Sequence, residues 1–273
     1  MSTKVDTLRV PGASLYYQVR GTGPILLMMS GGHGDADSFD GVAEHLVEQY
    51  TLVSYDRRGY ARSPLDTPGE MQHVATHADD AASLLDMLGH RPAQVFASSA
   101  GALIGLDLAT RHSHLVSTLV AHEPPALQLL PPAVRPQPRE DFVEKMRRDG
   151  PGAALEEFRA LIGATDDDHE PGADIRQRRS PHAAANAQFF FSHEAGMLDR
   201  YTLDFAALVG GPARIVPAAG RTGRDHFPYR CAAALAEQLH VSLVEFPGGH
   251  AGYVTHPNAF AEQLRSVLGN PDS

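Results

Sequence analysis

Tryptophan is absent, cysteine occurs once at Cys231, and lysine occurs only twice, at Lys4 and Lys145. A lone cysteine excludes an internal disulfide framework, and Cys231 reads as a small hydrophobe at the start of a helix. No apolar run approaches the roughly 20 residues that a bilayer-spanning helix needs. The longest, such as Ile25 to Met29, are far shorter. Positive charge is also scarce, since 23 Lys and Arg stand against 33 Asp and Glu, a formal charge of -10. That balance speaks against nucleic acid and anionic membrane surfaces as partners. Met1 to Pro11 carries Lys4, Asp6 and Arg9 with no apolar core segment, so no secretory leader is expected and the cytoplasm is the default compartment.

What is present suffices for a core. The chain has 273 residues, 42% of them hydrophobic, which excludes a disordered chain. Leu8 to Val10 and Leu15 to Val19 predict a hairpin around Pro11-Gly12. Continuous apolar runs at Ile25 to Ser30, Thr51 to Tyr55, Gln94 to Ser98 and Leu115 to Ala121 predict strands buried on both faces. Between them, helical spacing runs through Ala36 to Tyr50, Glu70 to Leu88 and Ala100 to His112. Strands alternating with helices predict an α/β fold with a mostly parallel central sheet flanked by helices.

The alternation then breaks. Glu123 to Pro138 holds six prolines, a density that no regular helix or central strand tolerates. Beyond it, Asp141 to Arg148, Ala153 to Ile162 and Ala183 to Leu198 read as helices, with Asp166 to Glu170 as a solvated loop. Alternation resumes with strands at Ala213 to Pro217 and Val241 to Phe246 and helices at Tyr229 to Leu239 and Pro257 to Leu268. The expected organisation is a core of residues 1–125 and 211–273, interrupted by a helical cap or lid at 126–210.

The strongest chemical signal is Ala97-Ser98-Ser99-Ala100-Gly101, where a buried strand meets a helix of small residues. A serine on so sharp a turn needs small neighbours two positions before and after it, which puts Ser99 at the tip. Ser98 would need Phe96 to fit there. A hydroxyl is a poor nucleophile until a base takes its proton. Among the 15 histidines, His250 follows the last predicted strand through Pro247-Gly248-Gly249, at the sheet edge that carries sites in parallel folds. His73 and His77 lie one helical turn apart but lack a third ligand, so no metal site is expected. Two carboxylates compete to orient the imidazole. Glu123 is held between a strand and Pro124-Pro125, whereas Asp225 follows a glycine-rich, arginine-flanked stretch. Rigidity favours Glu123, with Asp225 as the alternative. Oxyanion donors are expected from the N–H of Ala100 and from Gly32 in Ser30-Gly31-Gly32-His33-Gly34.

These residues resemble the α/β-hydrolase superfamily over nearly the whole chain. The resemblance rests on Ser30-Gly31-Gly32, Asp56-Arg57-Arg58-Gly59-Tyr60-Ala61-Arg62-Ser63, the Ser99 turn, and Phe246-Pro247-Gly248-Gly249-His250. Ser98 to Ala102, His122-Glu123-Pro124-Pro125, and Tyr253-Val254-Thr255-His256-Pro257 after His250 look like the fungal zearalenone lactonases. In that family the triad acid is a glutamate after the strand that follows the nucleophile helix, a role the resemblance carries onto Glu123. The insertion matches no segment of the lactonase lids. Serine at 99 argues against the dehalogenases and epoxide hydrolases of the superfamily, which use a carboxylate.

The expected function is a cofactor-free serine hydrolase acting on a small-molecule ester or lactone. Carbon–carbon bond hydrolysis and acyl transfer run on the same triad, and a non-catalytic binding protein could keep the fold. Phe189, Phe190, Phe191, Met197 and Tyr201 of the insertion are the expected substrate contacts. Three consecutive aromatics cannot share one helix face, so some of them must face the core.

Overall fold

The apolar runs become strands and the strands join into one sheet. The computed structural model describes residues 3–89, 92–135, 140–164, 168–173 and 180–269. Pro136 and Pro138 of the proline run, and Asp166 and Asp167 of the predicted loop, lie outside the described residues. The strands are β1 (Lys4–Val10), β2 (Ala13–Gly21), β3 (Ile25–Met29), β4 (Thr51–Tyr55), β5 (Ala93–Ser98), β6 (Val116–His122), β7 (Arg214–Gly220) and β8 (Val244–Phe246). Their order is β1-β2-β4-β3-β5-β6-β7-β8. The β1–β2 hairpin and the β2–β4 pair are antiparallel, and every pairing from β4 to β8 is parallel.

Along the chain, α1 (Asp40–Ala43), α2 (Val74–Leu88) and α3 (Ala100–Arg111) join the first strands. Between β6 and β7 lie α4 (Glu140–Asp149), α5 (Pro151–Leu161), α6 (Ala183–Phe189), α7 (Ala195–Arg200) and α8 (Phe205–Gly210). The last third adds α9 (Phe227–Leu239), α10 (Gly252–Thr255) and α11 (Pro257–Gly269). Because side chains alternate across a strand, β3 feeds two cores. Leu27 joins Val95 and Leu119 against Leu85 and Leu103, while Leu26 and Met28 join Phe96 and Val120 against Phe39, Phe260 and Leu264. Each such side chain contributes roughly 1.5–3 kcal/mol by burial. Among the described residues, no helix is long and apolar enough to cross a membrane.

Three elements differ from the sequence reading. The segment predicted as one helix from Ala36 to Tyr50 is a 3-10 turn (Ala36–Phe39), then α1, then turns. Its bonds alternate between three-residue and four-residue spans, as in His45 to Val42 and Val47 to Ala43. Periodicity reported the buried face and not the hydrogen-bond ladder. The helix predicted from Glu70 starts at Val74, because Gln72 N donates to His193 O at 3.0 Å instead of entering the helix. The strand predicted from Val241 starts at Val244, because Val241 N bonds Ala236 O at 3.1 Å and closes the end of α9. Ala183 to Arg200 is nearly continuous, with a π turn at Phe190–Glu194 between α6 and α7.

Candidate active site

Ser99 sits where β5 ends and α3 begins, with φ 55° and ψ -125°. That conformation is costly for a residue with a side chain, so the surroundings must impose it. Ser99 N donates to His122 O at 2.8 Å, which extends the β5–β6 ladder by one residue before the chain turns. A Cβ at Gly101 would lie 2.5 Å from Met29 O and 2.6 Å from Ser30 O, so only glycine lets α3 approach β3 this closely. Ala97, two residues before the serine, is accommodated because Gly105 faces it. A Cβ at Gly105 would lie 3.1 Å from the Ala97 methyl. Ser98 is buried within the sheet, while Ser99 is half-buried and faces a cleft.

Glu123 follows β6 and also has positive φ, at 51°. Its N–H donates to Ala218 O at 2.8 Å, and its Oε1 accepts from Gly220 N at 2.8 Å, so β7 grips the residue at backbone and side chain. The other oxygen, Oε2, lies 2.5 Å from His250 Nδ1. Burial raises the pKa of this carboxyl, but the hydrogen bond and charge of His250, the His122 ring and the Gly220 N–H outweigh it, and the net shift is downward. A carboxylate facing Nδ1 makes that nitrogen the N–H donor and leaves Nε2 with its lone pair. Asp225, the competing acid, is exposed. His122, next to Glu123 in the chain, is fully buried among Phe96, Phe246 and Phe260, and burial lowers its pKa to about 4.

The loop after β3 approaches the serine from above. A Cβ at Gly31 would lie 2.7 Å from Ser99 Cβ, which explains the first glycine of the pair. Among the described residues, neither Gly32 N nor Ala100 N donates to a protein acceptor. Ser99 Oγ has no protein hydrogen bond among them either.

Two lobes of one cleft meet at Ser99. The first, about 630 Å³ with its mouth included, is lined by Gly32, His33, Arg159, His250 and Tyr253. The second, about 650 Å³, is lined by Pro125, Leu127, Phe191, Leu198 and Phe227 with Asp199. Phe158, Ile162 and Phe190 line both. Burial lowers the pKa of His33; Asp35 opposes this, and the charges of Arg159 and His250 add to it.

Of the five residues expected to contact substrate, Phe190 lines both lobes and Phe191 lines the second. The other three do not line either lobe. Phe189 packs edge-on against Tyr60 at 4.9 Å, Met197 is buried in the core, and Tyr201 donates its hydroxyl to Asp107 at 3.2 Å. These contacts tie residues 189–201 to the sheet and its flanking helices. Sequence reasoning missed Leu155 and Phe158 of α5 and Ile162 at its C-terminal end, although spacing of three and four residues gave a usable signal. It also gave His77 no role; the ring is buried, with Nε2 3.4 Å from Glu194.

Residues 24–206 match the family described as alpha/beta hydrolase fold. Over 272 residues the chain is 43% identical to a Bacillus subtilis (strain 168) protein named uncharacterized hydrolase YraK, a match that covers 98% of this chain and 97% of that one. A thermophilic esterase from Thermogutta terrifontis superposes with TM-score 0.76 at 20% identity over 98% of both chains. An esterase from Exiguobacterium antarcticum superposes with TM-score 0.77 at 20% identity, over 96% of this chain and 97% of that one. At that identity, the likeness to the two esterases shows the fold.

Proposed function

We propose that this chain, which belongs to the alpha/beta hydrolase family, is a serine hydrolase that cleaves a carboxylic ester or lactone through Ser99, His250 and Glu123, with no cofactor. The observation that carries this reading is the 2.5 Å contact between buried Glu123 and His250 Nδ1, beside a cleft that Ser99 and His250 both line. The strained Ser99 turn and the esterase names of two structural neighbours support it.

Ser99 Oγ attacks the carbonyl carbon while His250 Nε2 takes its proton. The developing oxyanion accepts from the Gly32 and Ala100 N–H groups. Glu123 stabilises the imidazolium. Collapse of the tetrahedral intermediate expels the alkoxide, which takes the proton back from His250. Water, deprotonated by the same ring, then hydrolyses the acyl-enzyme and frees Ser99. His250 lines the first lobe and not the second, so the leaving alcohol occupies the first lobe and the acyl chain the second. Residues 126–210 serve as the cap, since Phe158 and Phe190 of that segment line both compartments and Phe191 lines the second. A lactone follows the same steps with acyl and alkoxide tethered, a substrate class supported by the likeness of His122-Glu123-Pro124-Pro125 to the zearalenone lactonases.

Intact-mass labelling with a fluorophosphonate tests the reading on wild type and on Ser99→Ala. One adduct on wild type and none on the variant is the expected result. A folded wild type that takes no adduct would overturn it and leave a small-molecule-binding protein on a hydrolase fold. Product analysis with esters and lactones then separates hydrolysis from acyl transfer and carbon–carbon cleavage.

A further inference from the structure

Arg57 follows β4, and its side chain is fully buried, as is that of Glu194 at the end of the π turn. The guanidinium donates from Nη1 to Glu194 Oε2 at 2.5 Å and from Nη2 to Oε1 at 2.8 Å, with the Tyr60 ring 4.6 Å away. Nη2 also donates to Gly31 O at 2.6 Å, and the Arg57 backbone N–H donates to Gly34 O at 2.7 Å. One arginine therefore holds the glycine loop at both ends.

A trans peptide carries its C=O and N–H on opposite sides of a rigid plane. Fixing the Gly31 oxygen against Arg57 turns the Gly32 N–H the other way, and Gly32 lines the cleft beside Ser99. Gly31 O also accepts from Gly34 N at 3.0 Å, closing a turn, but glycines on both sides of the peptide leave its torsions soft, so Arg57 supplies the second bond that keeps the plane from rotating. A buried ion pair seldom adds stability over apolar side chains of the same shape, so its presence calls for another reason. We infer that Arg57, held by Glu194 of the cap, is the positioning residue that aims the Gly32 N–H at the oxyanion. The inference rests on the reading of Gly32 as an oxyanion donor. It also makes the cap part of the catalytic geometry, because Phe190 on the same π turn stands over Gly32, where an added Cβ would meet its ring at 3.3 Å.

The test is the double variant R57M/E194L, which removes both charges together and leaves no buried ion unpaired. Asn186 Nδ2 still ties the cap to His33 O at 2.6 Å in that variant. Steady-state kinetics on an activated ester and the affinity of an aryl boronic acid, whose tetrahedral serine adduct occupies the oxyanion hole, are measured together. Removing one oxyanion donor outright costs about 100- to 1,000-fold in kcat. Misaiming one should cost about 10- to 100-fold, with KM within about threefold and boronate affinity falling in parallel with kcat. Loss of a merely structural contact would lower the melting temperature and leave the boronate affinity unchanged. Should the double variant not fold, R57K decides, since an ammonium cannot serve Glu194 and Gly31 O in the same fork. A folded variant whose kcat and boronate affinity both stay within twofold of wild type overturns the inference. A wild type with neither turnover nor a Ser99 adduct overturns the hydrolase reading and this inference with it, so the two failures are distinguishable.

Discussion

Glu123→Gln removes a charge and keeps the shape, and its effect can be worked out atom by atom. The Gly220 N–H at 2.8 Å needs an acceptor, so the glutamine oxygen must stay on that side. The amide NH2 then faces His250 Nδ1, where Oε2 of the carboxylate lies at 2.5 Å. A donor opposite Nδ1 makes that nitrogen an acceptor and moves the ring proton to Nε2. In the proposed mechanism, the ring can then no longer take the proton of Ser99. General-base catalysis is worth about 10²- to 10⁴-fold, and the lost support for the imidazolium adds to it, so we expect kcat to fall about 10³- to 10⁴-fold. At 1.36 kcal/mol per decade this is about 4–5 kcal/mol of transition-state stabilisation. Glu123 does not line the cleft, so KM should stay close to wild type. The assay is initial rates on a chromogenic ester, with a thermal melt to show that the variant is folded. A variant that retains more than a tenth of wild-type kcat would refute the reasoning. So would Asp225→Asn, at an exposed position, taking the large loss instead.

Further outcomes follow from other contacts. Gly101→Ala forces a methyl against the Met29 and Ser30 carbonyls, so melting should report a loss of about 1–3 kcal/mol and kcat should fall as the serine turn shifts. Leu198→Ala enlarges the second lobe, and a series of esters differing in acyl length should show a preference for longer acyl chains. A changed preference for the alcohol would reverse the assignment of the lobes. Glu194 is pushed up by burial but pulled down further by Arg57 and His77, to about 2 from 4.5. Its folded-state pKa is depressed, so the stability it contributes is present above about pH 4.5 and is lost as pH falls toward 2. Wild type should lose a few kcal/mol across that window, and Glu194→Gln should show a flatter profile in acid melts.

The parallel sheet was legible because strands buried on both faces must be apolar throughout, as Ile25–Met29 is. The serine turn was legible for a steric reason, since close strand–helix approach admits only small residues around Ser99. The segment before Pro124-Pro125 announced a rigid carboxylate, and Glu123 is the one that bonds His250. What stayed hidden depends on contacts distant in sequence. Arg57 and Glu194 are 137 residues apart, and nothing local marks either as the partner of the other. Phe189, Phe190 and Phe191 were read as a group, but the turn of the backbone divides them, with Phe189 against Tyr60 and the next two at the cleft. Composition suggested aromatic contacts without saying which way each ring points.

In the proposed mechanism, the partition of the cleft at Ser99 has a kinetic consequence. Once the acyl group is on the serine, the compartment beside His250 is the only one of the two in which a second nucleophile can be deprotonated. The departing alcohol and the incoming water must therefore use the same space in turn. An alcohol that lingers there competes with the incoming water and returns the acyl group to itself. Added alcohols of matching shape should divert the acyl-enzyme into new esters at the expense of acid, so the fate of the bound acyl group depends on the occupancy of one small chamber.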